Sequence, residues 1–398
     1  MGIKYAMLFS ITITIILSLL ILIPSLLNSS KFHPINHSDH HLLTQQNPYP
    51  VSFAYLISAS KGDVDRLVRI LTAVYHPANY YLLHLDREAE PEEHNHLYQV
   101  ISSHPTFIRF GNVWIVQKTN LVTYRGPTML TTTLHAISML LRTCQWDWFI
   151  NLSASDYPLI TQDDLIVAFS NLPRDLNFVQ HTSRLGWKIK KRAKPIMLDP
   201  ALSETNKTEI IWLTQNRTVP TAFKLFTGSA WTVLSRSFAE YFIVGWDNLP
   251  RTLLLYYANF VSSPEGYFQT LICNSREYRN TTVNHDLHYI MWDTPPKQHP
   301  LNLGVKDYRK MVLSSRVFAR KFKKDDPVLD KIDKELLRRK GLQFTFGGWC
   351  YNDEKKMCTN LPSEGAIGVL KPGAGSRRLR SLLTKIASGK NFRKWQCR

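Results

Sequence analysis

Apolar and polar residues come in blocks along this chain, and the length of each block decides what it can form. Val51–Ile57, apolar but for Ser52, reads as a strand, Val64–Tyr75 carries apolar positions at helical spacing, and Tyr80–Asp86 is a second strand that closes on an acid. Val113–Val116 is a third strand, Met129–Leu141 a second helix, and Trp148–Leu152 a further strand that stops at Ser153-Ala154-Ser155-Asp156-Tyr157-Pro158. Strands alternating with helices predict an α/β domain with a largely parallel sheet, and ligands of such sheets sit outside the carboxyl ends of the strands. After Pro173 the pattern predicts a strand over Asn177–His181, a polar insertion over Ser183–Thr218, an apolar run over Leu225–Leu234, and helices over Phe238–Asp247 and Leu253–Phe260.

Tyr5–Leu27 is almost wholly apolar or hydroxylated and long enough to cross a hydrocarbon core of about 30 Å as a helix. That length favours an uncleaved anchor over a cleaved signal peptide. The expected organisation is a cytosolic tail at 1–4, a transmembrane helix at 5–27, a stem at 28–50, a catalytic domain at 51–325 and a basic extension at 326–398 packed on it. Sequons at Asn28, Asn36, Asn206, Asn216 and Asn280 suit a lumenal chain, while Asn151, inside a proposed strand, is expected to stay unmodified. Five cysteines leave at least one unpaired, and Cys350 with Cys358 is the pair that spacing favours.

The formal charge of +18 gathers mostly beyond Lys306. Such an excess attracts nucleic acid, anionic lipid, nucleoside diphosphates or acidic glycans, and lumenal placement removes nucleic acid from the set. The terminal Arg377–Arg398 stretch reads as a solvated basic tail.

Several residues could carry chemistry. Asp156 stands at a strand end without an acidic neighbour, and one carboxylate holds a divalent cation poorly. Asp63-Val64-Asp65 opens a helix, where acids favour the positive end of the dipole, so it reads as capping. Asp86 can meet a ribose or a base at the sheet edge, or cap Arg87–Glu93. Glu265, behind Pro264 and ahead of an apolar run, can serve as the single base of an inverting transfer, or as an ordinary acid in a helix's first turn. Arg320 and Lys321, set between Phe318 and Phe322, can grip a departing diphosphate in place of a metal.

Phe53-Ala54-Tyr55, Asp65-Arg66-Leu67, Tyr75-His76-Pro77, His84-Leu85-Asp86-Arg87, Ile150-Asn151-Leu152, Ser155-Asp156-Tyr157-Pro158, Gly228-Ser229-Ala230, Pro264-Glu265 and Phe318–Phe322, taken in order, resemble glycosyltransferase family 14. That family includes the core-2/I-branching N-acetylglucosaminyltransferases and is similar to the peptide O-xylosyltransferases. The resemblance implies a Golgi type II inverting enzyme of GT-A-like, Rossmann-type fold that uses a UDP-sugar without a metal. It makes Glu265 the catalytic base, Arg320 and Lys321 the diphosphate cations, Ser58 and Asp86 nucleoside contacts, and Tyr124-Arg125-Gly126 a donor-site loop. Asp156, Gly228, Ser229, Trp231 and Trp292 would line the pocket. Around Glu265 the spacing departs from the animal enzymes, where Gly266 looks inserted.

Phe346–Cys350, Leu370–Gly373, Phe392–Cys397 and Asn284–Tyr289 are similar to the plant branch of the family, whose members transfer glucuronate to galactan side chains of arabinogalactan proteins. The resemblance thus implies UDP-glucuronate as donor, a β-galactan acceptor on an arabinogalactan protein, the Golgi membrane as location, and no cofactor. Its rivals are N-acetylglucosaminyl or xylosyl transfer on the same fold, and an inactive lumenal glycan-binding protein. A glycoside hydrolase would need a second carboxylate across the bond. A sulfotransferase would need a phosphate-cradling loop that Ser58–Gly62 fits weakly.

Overall fold

The computed structural model describes residues 47–203, 209–295, 299–352, 357–358 and 366–398. Tyr5–Leu27, most of the stem, and the sequons Asn28, Asn36 and Asn206 lie outside the described residues. Among those described, no helix is long and apolar enough to cross a membrane.

Most of the first strands and helices follow the apolar blocks, namely β1 (Phe53–Ala59), α1 (Val64–Val74), β2 (Tyr80–Leu85), β3 (Val113–Ile115), α3 (Thr128–Thr143) and β4 (Trp148–Ser153), while α2 (Pro91–Ser103) is a largely polar helix between β2 and β3 that the apolar pattern does not predict. Next come β5 (Asp156–Pro158), α4 (Gln162–Phe169), β6 (Asn177–Phe178), β7 (His181–Thr182), β8 (Pro195–Leu198) and β9 (Ile211–Asn216). The remainder holds β10 (Thr227–Gly228), β11 (Val233–Ser235), α5 (Arg236–Ile243), α6 (Leu249–Tyr257), α7 (Tyr267–Asn274), β12 (Thr282–Val283), β13 (His288–Ile290), β14 (Phe318–Arg320) and α8 (Ala374–Ala387).

The central sheet has seven strands in the order β12-β6-β11-β4-β1-β2-β3. β1 pairs in parallel with β2 and β4, and only β11 runs against its neighbours, so the sheet is largely parallel as the alternating pattern predicts. The chain reverses its order of winding at β1, and the register there sets Ser58 beside His84 on one side and Ser153 on the other. Ligands of doubly wound sheets bind at such a point. β1 is buried on both faces, as a central parallel strand requires. Its alternate residues Phe53, Tyr55 and Ile57 pack into the main core with Tyr81 and Trp148, and the rings of Tyr55 and Tyr81 lie parallel at 5.3 Å.

Three details differ from the sequence expectations. Asp86 caps no helix, because α2 begins at Pro91 with a reciprocal Glu90/Glu93 capping box. Asp63 sits at the N-cap of α1 without capping it; its carboxylate bonds Arg66 Nη1 at 2.9 Å, and Asp65 pairs with Lys324. The segment expected as one strand over Asn177–His181 splits into β6 and β7, which belong to different sheets.

The basic extension is docked through acids. Asp163 Oδ2 accepts from the backbone N–H of Gly348 and Lys371, at 2.7 and 2.6 Å, and its Oδ1 lies 3.3 Å from His76 Nε2. Asp164 Oδ1 accepts from Gly373 N at 2.6 Å and Ser376 N at 2.9 Å while the same side chain closes the capping box of α4 with Thr161. α8 is amphipathic, with Leu379 and Leu383 buried in the main core and Arg380 donating to Val167 O. The Arg377–Arg398 stretch is therefore not simply a solvated tail. Its apolar stripe, spaced at four residues, turns toward the domain while the cations face outward.

Cys273 and Cys397 form a disulfide that spans 124 residues of sequence. Cys350 is disulfide-bonded too, and among the described residues Cys144 is a free, buried thiol, its pKa pushed up to about 12 by burial. Sequence spacing does not reveal the Cys273–Cys397 pair because only the fold brings these residues together.

Candidate active site

Ser262 starts the local geometry. It holds φ 58° and ψ 53°, a left-handed conformation that a serine adopts only when its surroundings enforce it, and its N–H donates to Arg125 O at 2.7 Å. One short turn, Ser263–Glu265, follows immediately. This single backbone bond draws the Tyr124-Arg125-Gly126 loop onto the segment that carries Glu265. Gly126 is needed there, since a Cβ would come within 1.8 Å of Asp199 Oδ2, and Asp199 also accepts from Thr123 Oγ1 and the Ala201 N–H.

The Glu265 carboxylate is then surrounded by donors. Tyr124 OH donates to Oε1 at 2.6 Å, Arg192 Nη1 donates to Oε2 at 2.5 Å, and Lys188 Nζ reaches the same oxygen at 3.5 Å. Lys188 also donates to Thr227 Oγ1 at 3.0 Å, tying the cluster to β10. Burial raises the Tyr124 phenol well above its ordinary value, and the adjacent Glu265 charge adds to it, so the hydroxyl stays protonated as a donor. Burial lowers the Lys188 ammonium, against the pull of Glu265.

β10 enters the site through Gly228, which pairs with His181 of β7. A Cβ at Gly228 would fall 1.7 Å from Gln180 O, so only glycine lets the two backbones approach. Ser229 contributes backbone and hydroxyl to local order: its carbonyl accepts from Gln269 Nε2 of α7 and its Oγ from Trp231 N. Trp231 is buried, with the Arg320 guanidinium stacked 3.9 Å from its ring centre. Trp292 is 45% exposed.

Arg320 is placed by a small second sheet in which β14 lies between β13 and β5. Register sets Arg320 opposite Asp156, and Nη1 and Oδ1 lie 3.2 Å apart. The other Asp156 oxygen accepts from Ser153 N at 2.6 Å and Ser153 Oγ at 2.9 Å. Asp156 is thus fully enclosed and anchors Arg320 to the end of β4, rather than facing an open pocket. Asp86, also buried, spends its carboxylate on the N–H groups of Glu88 and Val122. In this way it shapes the start of the 120–126 loop. Lys321 follows Arg320, and its charge joins those of Arg125 and Arg320 around the exposed His299, whose imidazole is lowered first by desolvation and then by Lys321, Arg125 and Arg320.

The structure therefore brings Glu265, Tyr124, Arg125, Arg320 and Lys321 into one region, with Gly228, Ser229 and Trp231 as its wall. Ser58 lies at the sheet's switch point, and Trp292 stays largely exposed. Lys188, Arg192, Asp199, Thr227 and His299 are additions that sequence reasoning missed. The signal available for the first two was an aromatic, Trp187, set ahead of four cations in Trp187–Arg192. Among the described residues, His181, Cys273 and Cys397 are the one group close enough to hold an ion, and both sulfurs are spent in the disulfide. Asn151 is buried, with its amide bonded to Ala230 and Thr232, while Asn216 and Asn280 are exposed.

A carboxylate and several cations gathered beside a largely parallel sheet form a site with the charge to receive an anionic group. The chain belongs to the Core-2/I-branching enzyme family, whose model matches residues 53–312, and it is a glycosyltransferase. It is similar to β-glucuronosyltransferase GlcAT14A of Arabidopsis thaliana, 57% identical over 88% of this chain and 79% of that one. It is also similar to β-glucuronosyltransferase GlcAT14B of the same plant, 58% identical over 87% of this chain and 80% of that one. Xylosyltransferase 1 of Canis lupus familiaris is more distant, 30% identical over 61% of this chain and 24% of its own length.

Proposed function

We propose that this protein transfers glucuronate from UDP-glucuronate, with inversion and without a metal, to galactose residues of β-galactan side chains on arabinogalactan proteins. Glu265 takes the proton from the acceptor hydroxyl as that oxygen bonds to the anomeric carbon. The bond from that carbon to the diphosphate breaks, and UDP departs toward Arg320 and Lys321. The observation that carries the reading is the placement of Glu265, one carboxylate at the centre of the site with Tyr124, Lys188 and Arg192 directed at it. Metal independence is supported by the donor set. Asp156 is occupied by Ser153 and Arg320, and Asp63 by Arg66, so neither acid offers a free carboxylate to an ion. The similarity to GlcAT14A and GlcAT14B, both β-glucuronosyltransferases, supports the donor. Tyr5–Leu27 would anchor the chain in the Golgi membrane with its catalytic domain lumenal, and the Cys273–Cys397 disulfide is in keeping with an oxidising compartment.

The test is a donor panel on the solubilised full chain, with UDP-glucuronate, UDP-N-acetylglucosamine and UDP-xylose offered against β-galactan oligosaccharides in EDTA. Glucuronate transfer that survives chelation is the expected result. Preference for another donor, binding without turnover, or activity restored only by manganese would overturn it.

A further inference from the structure

Two cations answer one carboxylate beside the candidate base. Arg192 and Lys188 both address Glu265 Oε2, Tyr124 occupies Oε1, and the side chains of Lys188, Arg192 and Glu265 are 23%, 17% and 13% exposed. Among the described residues, the other partners of these cations are neutral: Thr227 for Lys188, and for Arg192 the ring of Trp187 at 5.5 Å. The cluster therefore carries one more positive charge than it cancels, in a place where water cannot screen it fully. The same contacts tie up both oxygens that a base must offer to an acceptor hydroxyl. One further anion in the pocket would answer both conditions, by neutralising the surplus charge and by taking donors away from Glu265.

We propose that Arg192 and Lys188 bind the carboxylate of the donor's hexuronate ring, and that this second carboxylate takes over their hydrogen bonds and releases Glu265 for the acceptor. The inference rests on the donor named in the preceding section. A neutral hexose donor carries a hydroxymethyl group at the same carbon and leaves Glu265 clamped, so discrimination between donors and readiness of the base become one event. Arg192 is suited to the exchange because its planar fork can hold a carboxylate through two parallel bonds.

Calorimetric titration of the full chain with UDP, UDP-glucose and UDP-glucuronate tests it. The wild type should favour UDP-glucuronate over UDP-glucose by about tenfold, the worth of one charge-assisted bond. Arg192→Leu should erase that difference and leave UDP and UDP-glucose unmoved, while Arg192→Lys keeps part of it. Glu265→Gln, which removes the competing charge, should tighten UDP-glucuronate alone. UDP affinity in each variant reports that it has folded, and if Arg192→Leu fails that control, Arg192→Lys and Glu265→Gln decide. A full preference in Arg192→Leu, or an unchanged uronate affinity in Glu265→Gln, overturns the inference while the donor assignment stands. A wild type that neither binds nor turns over UDP-glucuronate overturns the donor assignment as well.

Discussion

Arg320 and Asp156 face one another across β14 and β5, register partners whose Nη1 and Oδ1 lie 3.2 Å apart with the aspartate side chain wholly buried. Removing one member leaves the other charge uncompensated in the interior. Asp156→Ala should lower stability by about 3–5 kcal/mol and weaken UDP binding, because Arg320 loses its anchor. Denaturant unfolding and titration with UDP read the two effects. A stable variant with unaltered UDP affinity would show that Asp156 does not hold Arg320 in place.

Glu265→Gln keeps the shape of the side chain and removes its ability to accept a proton. Turnover should fall by about a hundredfold or more, while UDP still binds. Tyr124→Phe deletes one donor to the same carboxylate, and a smaller fall of about tenfold in kcat is expected, in line with one lost bond to a charged group. Steady-state kinetics separate the two, and equal losses would contradict the separate roles.

Cys397→Ser opens a loop of 124 residues and frees the tail from α7. The expected loss is about 2–5 kcal/mol, seen as a lower Tm under non-reducing conditions. Cys144→Ser should fall far short of that, since Cys144 is already a free thiol.

His84 gives a pH dependence whose sign is fixed. Burial, with help from His135 and His94, lowers its imidazole from an ordinary value near 6.5 to about 4, and its Nε2 accepts from Asn120 N at 3.2 Å. The folded protein thus keeps it neutral while the unfolded chain binds the proton between pH 6.5 and 4. Stability should rise with pH across that window and be lost as pH falls, by about 3 kcal/mol from this group. His84→Asn should flatten the slope of Tm against pH there, and an unchanged slope would assign the acid sensitivity elsewhere.

The sheet could be read from the chain because β1, β2 and β4 are apolar runs whose burial on both faces leaves no other assignment. The site was legible in part. Glu265 stands out as a single acid ahead of an apolar run and the Arg320-Lys321 pair as cations set between Phe318 and Phe322, but their neighbours do not. Lys188 and Arg192 sit in a segment that reads as a polar insertion, and they meet Glu265 across 77 and 73 residues, a separation no local periodicity can register. Asp163 and Asp164 stand in the first turn of α4, and the turn does use Asp164. Their larger role, accepting four backbone N–H groups from beyond residue 345, depends on contacts that only the folded chain makes.

His181 Nε2 receives the N–H of Cys397 at 2.8 Å, and the Ser183 N–H donates to Arg398 O. These bonds hold the edge of β7 against which Gly228 pairs. Cys397 emerges 216 residues later than His181 during synthesis. The wall that β7 and β10 form is therefore complete only once a segment 216 residues further along has been synthesised and an oxidant has joined Cys397 to Cys273, which ties this side of the site to the redox conditions the chain meets as it folds.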